Sequence, residues 1–251
     1  MKFYLLLYVA YTERYDIIVV GAGHAGIEAS FVCARCGFNT LLLTLNIDNI
    51  GQMSCNPSIG GLAKGHLVKE IDALGGVIGL LADKTMVQFR MLNRSKGPAV
   101  WSPRTQNDRA RYKQEAQKIL VNQNGLTIKQ EEVIEILVDN GEVFGLRTGI
   151  GNEYLARAVI ITTGTFLNGL MHIGLETYPG GRIGEQESSC LSESLKRLGF
   201  QLGRLKTGTS PRIAKNSVDI SKMDIQKGEE PVEPYSYRTF ELNIEQLPCY
   251  I

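Results

Sequence analysis

The shortages in this sequence set the first limits. Cysteine is scarce and its pattern is unpaired: Cys33, Cys36, Cys55, Cys190 and Cys249 are odd in number and irregularly spaced. That excludes the disulfide framework of a small secreted protein and points to a reducing, cytoplasmic setting. Histidine numbers three, and neither His66 nor His172 stands where it would complete a zinc site with the cysteines, so no metal is expected. Neither sign of charge dominates: 27 Lys plus Arg against 26 Asp plus Glu leave a net +1, which gives no global push toward nucleic acid or membrane. Long hydrophobic runs are missing as well. The apolar stretch from Phe3 to Tyr11 is too short to span a bilayer and is followed by no small-residue cleavage site. It reads as an upstream extension or an added edge strand, and no membrane partner is expected. No internal repeat or low-complexity tract is present, and 251 residues suffice for one large or two modest domains.

What is present begins with Ile17-Ile18-Val19-Val20, a continuous β-branched run suited to a strand buried on both faces of a parallel sheet. Gly21-Ala22-Gly23-His24-Ala25-Gly26 follows at once, and small residues then continue to Cys36, as in a helix pressed closely on a sheet, with Gly37 placed as a cap. Thr40–Thr44 reads as a second buried strand that completes a βαβ unit. A glycine turn between such a strand and such a helix is a dinucleotide site: Gly21 for the tight turn, Gly23 for close approach of a pyrophosphate, Gly26 for helix packing. The phosphates would meet the helix N-terminus; His24 is read as a turn residue. An acid is expected about 20 residues on to bind ribose, but Thr44-Leu45-Asn46-Ile47-Asp48 displaces it, so NAD at this site loses ground. FAD gains from the later strand Val159–Thr162, which runs into Thr163-Gly164-Thr165 after a meander, as in two-dinucleotide-domain flavoproteins. Between them the pattern predicts a functional loop from Asn46, a helix near 63–74 and another over 106–121. Short antiparallel strands are predicted at 127–128, 133–138 and 143–146, with Asp139-Asn140-Gly141-Glu142 as a hairpin turn. A last helix is predicted at 190–198, and apolar periodicity fades beyond Arg212.

Two further features carry chemistry. Cys55 lies in the loop Gly51–Pro57, alone where flavin disulfide reductases carry two cysteines. It is either a single nucleophile or proton donor, helped by Lys64 and a helix N-terminus, or a small buried residue. Cys33 and Cys36 sit within the first helix and read as packing. Arg90, Arg94, Lys96, Arg104, Arg109, Arg111 and Lys113 form a basic segment with Trp101 and Tyr112 interspersed and Asp108 as its one acid. They read either as phosphate ligands, for FAD or a nucleic acid, or as a solvated face.

The segments GAGHAGIEA from Gly21, NIDNIGQMSCNPSIGGLAKGHLVKEIDALGG from Asn46, QFRMLNRSKGPAVWSPRTQNDR from Gln88, GTFLNGLMHIGLETYPGGR from Gly164 and GRLKTGTSPR from Gly203 together resemble the MnmG (GidA) family. The resemblance implies an α/β fold: a Rossmann-like FAD-binding domain, parallel sheet with antiparallel meander, over 15–212, and over 213–251 the beginning of an inserted α/β domain, with 1–14 as an N-terminal extension. It implies FAD held by Gly21–Gly26, by the Val133 backbone, by the turn at Gly164 and by Ser188, and Cys55 as one of two functional cysteines. The implied reaction is addition of a carboxymethylaminomethyl group at carbon five of the wobble uridine of tRNA. NADH would be the reductant, methylene-tetrahydrofolate the one-carbon donor, and glycine or ammonium the nitrogen source. The implied partners are tRNA, met in part by Arg90, Arg94, Lys96, Arg104 and Arg109, the GTPase MnmE, and a second copy in a homodimer. The sequence ends at Ile251, short of the family's usual length, so an N-terminal fragment without the second cysteine, inactive alone, is expected. A flavin-dependent disulfide-type oxidoreductase and a non-catalytic FAD- or RNA-binding remnant are the alternatives.

Overall fold

Ile17–Val20 offers no polar face to solvent, and in the computed structural model it lies inside a four-stranded parallel sheet. The order across that sheet is Ala158–Ile161, Ile17–Val20, Thr40–Thr44, Leu126–Gln130. Its register sets Ile18 between Val159 and Leu41. The structure describes residues 11–251, so the apolar run from Phe3, Tyr11 apart, lies outside the described residues. Contacts divide the chain into two units: one runs to Asp48 and resumes over Gln123–Arg204, the other joins Asn49–Asn122 to Leu205–Ile251. This partition differs from a division at Arg212, because the loop after the second strand and everything to Asn122 pack with the C-terminal segment.

In the first unit the helix His24–Arg35 crosses between the first two strands, burying Gly26, Ile27, Ser30 and Ala34, and Gly37 turns the chain at φ +90°. Leu126–Gln130 corrects one expectation. Thr127 and Ile128 read as an antiparallel strand, yet Leu126–Gln130 pairs parallel with Thr40–Thr44, since residues 45–125 lie between them and give the long connection that a parallel pair needs. The meander follows as expected. Val133–Asp139 and Glu142–Thr148 form an antiparallel hairpin whose turn residues Asn140 and Gly141 take φ +50° and +83°, the left-handed pair that matches strand twist. Glu153–Leu155 continues that sheet, and Thr12–Arg14, from the segment read as an extension, pairs parallel with it at the edge. The helix Cys190–Arg197 lays Leu191 and Leu195 into a core with Ile18, Val20, Leu41, Leu43, Val133, Ile136 and Leu146.

The edge strand is anchored by charge. The Glu13 carboxylate accepts from Lys129 Nζ at 2.7 Å, Tyr11 Oη at 2.6 Å and Tyr15 Oη at 2.5 Å. The Lys129 ammonium first, and then the two hydroxyls, hold Glu13 down at about 2. Stabilisation from this cluster is therefore complete above the ordinary carboxylate value and is lost as pH falls toward 2. With a quarter of the Glu13 side chain exposed, screening reduces the effect to about 1 kcal/mol. Glu13→Gln should thus lower the urea midpoint at pH 7 and converge with wild type by pH 2; a difference that does not change with pH would refute the assignment.

In the second unit, Ser58–Gly60, Ser102–Asn107 and Met86–Leu92 form a three-stranded antiparallel sheet in that order. The helices are Lys64–Ala73, Ile78–Thr85 and Arg109–Val121. The last of these was expected to start at Gln106. It starts later because Asp108 is its cap, accepting from the Ala110 and Arg111 amides at 2.9 and 3.0 Å, while the residues before it belong to the sheet. Residues 213–251, expected to begin an α/β domain, contain two short 3-10 turns and a two-residue ladder, Ile225–Gln226 with Cys249–Tyr250. They run along the free edge of Met86–Leu92, where the Glu229 amide donates to the Phe89 carbonyl and the Leu247 amide to the Val87 carbonyl.

Candidate dinucleotide and cysteine sites

In the first unit, Gly21, Ala22 and Gly23 link the end of Ile17–Val20 to the helix that opens at His24, with Ala25 and Gly26 in its first turn. The three glycines meet three different demands. Gly21 sits at φ +100°, and a Cβ there would lie 2.5 Å from the Thr162 carbonyl oxygen. At Gly26 a Cβ would come within 1.8 Å of the Gly21 carbonyl oxygen, so strand and helix are packed backbone to backbone. Gly23 is the opposite case: φ −74° is ordinary, and a Cβ would meet nothing within 4 Å. As the N-cap it offers no side chain to the helix end, leaving open space at the positive end of the dipole, where an anion is favoured. The residues present thus fit a dinucleotide pyrophosphate.

Thr162 is the residue the motif did not reveal. From the end of Ala158–Ile161 its hydroxyl reaches the carbonyls of Val20 and Gly21 at 2.9 and 3.0 Å, clamping the turn from the neighbouring strand. Its only sequence signal was a polar residue closing an apolar strand. Past the second strand the Asn46 side chain accepts from the Asp48 amide at 2.8 Å, and Gln130 accepts from the Ile47 amide at 3.1 Å, so amides shape the turn where an acid was expected. Val133 and Ser188, far apart in sequence, are brought together: the buried Ser188 hydroxyl donates to the Val133 carbonyl at 3.4 Å. Gly164 sits at φ +56° with open space around it, and the next residue, Thr165, donates to the Gly181 carbonyl at 2.8 Å.

In the second unit, Cys55 is exposed, which removes its reading as a small buried residue. Its Sγ donates to the Gly208 carbonyl at 3.6 Å. Its own carbonyl accepts from Arg109 Nη2 at 2.6 Å and Arg212 Nη2 at 2.7 Å. Lys64 donates to the Ser58 carbonyl at 3.1 Å. Partial desolvation pulls Lys64 below the ordinary lysine value and the nearby Cys55 pushes it back up. Arg109 is lowered by desolvation and then by Arg212, with Cys55 acting in the opposite sense. Arg212 was not singled out from sequence, since only folding brings the C-terminal segment to this loop.

The rest of the basic segment divides. Arg94 is spoken for: it pairs with Glu229 and, at 3.5 Å, with Glu233, and stacks on Trp101 at 4.9 Å. Arg111 donates to the Lys84 carbonyl at 2.9 Å. Arg90 and Arg104 stand directly opposite each other on adjacent strands, and Arg104 Nε is buried with no hydrogen-bond partner. Lys96 is exposed in a 3-10 turn. Arg90, Arg94, Lys227 and Glu229 line an open cavity of about 550 Å³. Among the described residues no helix is long and apolar enough to cross a membrane, and no group of three His, Cys, Asp or Glu could hold a metal ion.

Known proteins resemble this arrangement over nearly the whole chain. The tRNA uridine 5-carboxymethylaminomethyl modification enzyme MnmG of Thermodesulfovibrio yellowstonii is 57% identical over 242 residues, covering 96% of this chain and 39% of that protein. The protein of the same name from Geobacter metallireducens is 51% identical, covering 97% and 39%. The structure of Aquifex aeolicus GidA in its form I crystal superposes with a TM-score of 0.91 at 48% identity, covering 95% of this chain and 41% of that one. The chain thus spans about 39% of the length of the curated relatives it matches. The family model described as glucose inhibited division protein A matches residues 16–251, and the chain belongs to that family.

Proposed function

We propose that this chain supplies the FAD-binding turn and one reacting cysteine of an enzyme that adds the carboxymethylaminomethyl group at carbon five of the wobble uridine of tRNA. The observation that carries the reading is the glycine turn: two glycines locked by backbone contact and a third, Gly23, facing open space at a helix N-terminus. Gly21–Gly26 would hold the FAD pyrophosphate, with Val133, Gly164 and Ser188 as further contacts. Bound FAD would supply two-electron redox chemistry. Cys55 would act at the uracil ring, where a thiolate adds to an electron-poor carbon. The names of the relatives support uridine as the substrate. The family resemblance supports NADH as reductant, methylene-tetrahydrofolate as one-carbon donor, MnmE and a second copy as partners, and a cytoplasmic setting. Arg90, Arg104 and Lys96 remain the phosphate candidates for tRNA, since Arg94 is held by two glutamates and Arg109 by the Cys55 carbonyl. A dithiol oxidoreductase is disfavoured because the loop Gly51–Pro57 carries a single cysteine, Cys55, where that mechanism needs two.

The test uses this chain joined to the remaining part of a full-length relative. Wild type should show bound-flavin absorbance and modify wobble uridine; Cys55→Ser should keep the flavin and lose the modification. Absence of flavin would overturn the FAD reading, and undiminished modification by Cys55→Ser would remove the cysteine from the chemistry.

A further inference from the structure

Three cations gather at Cys55 with no acid to balance them. Arg109 opens the helix Arg109–Val121, Lys64 opens the helix Lys64–Ala73, and Arg212 comes from the C-terminal segment of the same unit. Among the described residues no aspartate or glutamate forms an ion pair with any of them. The nearest carboxylate in sequence, Asp108, is turned to its own helix, where it caps two amides. Two guanidinium groups on one carbonyl oxygen, at 2.6 and 2.7 Å, repel each other. A single neutral carbonyl balances neither charge. The anionic form of the Cys55 side chain would do so from within the same loop.

We propose that Arg109 and Arg212 are positioning residues for Cys55. They fix its loop through the main-chain carbonyl and, with Lys64, surround its sulfur with positive charge, the setting in which a cysteine reacts as a nucleophile. The proposal rests on the reading of Cys55 as the reacting cysteine. The groups facing Cys55 are Lys64 and Arg109 from the two helices, and Arg212 with the Gly208 carbonyl from the C-terminal segment. Of these only the Gly208 carbonyl, which accepts from Sγ at 3.6 Å, carries negative partial charge.

The test reads thiol reactivity alone, so its outcome is separate from that of the uridine assay. Alkylation of Cys55 in the 251-residue chain by iodoacetamide at pH 7 is followed by peptide mass, with an unstructured peptide spanning Gly51–Pro57 as the standard. Wild-type Cys55 should react at least about tenfold faster than the peptide. Arg109→Gln and Arg212→Gln should each remove most of that excess, while Arg109→Lys and Arg212→Lys, which keep the charge, should stay within about threefold of wild type. A wild-type rate equal to that of the peptide would overturn the proposal without any variant. So would glutamine variants that react at the wild-type rate.

Discussion

Gly26→Ala is expected to abolish dinucleotide binding and to lower stability by about 3 kcal/mol, the upper end of what overpacking costs. The reason is where the added methyl would go. It would stand 1.8 Å from the Gly21 carbonyl oxygen and 2.8 Å from Thr162 Oγ1, and the first of these is backbone that no rotamer change can move. The helix must back away from the strand, and the amides at its N-terminus leave the place a pyrophosphate would take. In a thermal melt the loss corresponds to roughly 6–12 °C. Gly23→Ala is the discriminating control. Its methyl meets nothing within 4 Å at an ordinary φ, so the melt should stay within about 0.5 kcal/mol of wild type. Affinity for a dinucleotide should still fall at least about tenfold, because the methyl occupies the space the phosphates need. Equal effects of the two substitutions on stability would show that the turn is not built as described.

That contrast marks where sequence reading stops. GxGxxG after a β-branched strand was legible as a glycine turn into a helix because the positive φ of Gly21 and the close pass of Gly26 at the Gly21 carbonyl are set within six residues. Thr162 showed only as a polar residue closing an apolar strand: its hydroxyl serves a turn more than a hundred residues away through a parallel pairing that no short window contains. Leu126–Gln130 was misread as antiparallel for a related reason, since alternation reports which faces are buried and says nothing of strand direction. The basic segment shows the same limit from the side of charge. Arg94 and Arg104 look alike in sequence, yet one is neutralised by Glu229 and Glu233 while the other keeps a buried Nε without a partner. Which cation is spent and which is available depends on a segment that returns from the C-terminal side.

Asp72→Ala should release that segment. Asp72 is buried in the helix Lys64–Ala73 and accepts from Ser236 Oγ at 2.7 Å, the Tyr237 amide at 2.8 Å and Arg238 Nη2 at 2.9 Å. Asp83, on the next helix, takes the Tyr235 and Ser236 amides at 2.7 and 2.9 Å, and burial pushes its carboxyl above the usual range. Two carboxylates thus hold successive amides of residues 235–237, and Lys69 packs over the Tyr237 ring at 4.6 Å. Removing Asp72 strands an amide and a hydroxyl and takes one partner from the Arg238 guanidinium. Loss of one partner of a buried pair typically costs 3–5 kcal/mol. Arg238 is about a third exposed and also donates to the Gly75 carbonyl at 3.4 Å, which places the expected cost near about 3 kcal/mol. Asp72→Asn keeps one acceptor and the packing against Gly79, so it should lose less than half as much. Urea unfolding reads the total, and limited trypsin digestion reads the location, since cleavage after Arg238 should accelerate before cleavage after Arg109 or Lys118. If both sites open together, the segment and the helices unfold as one body, and the two aspartates are not a latch that can open on its own.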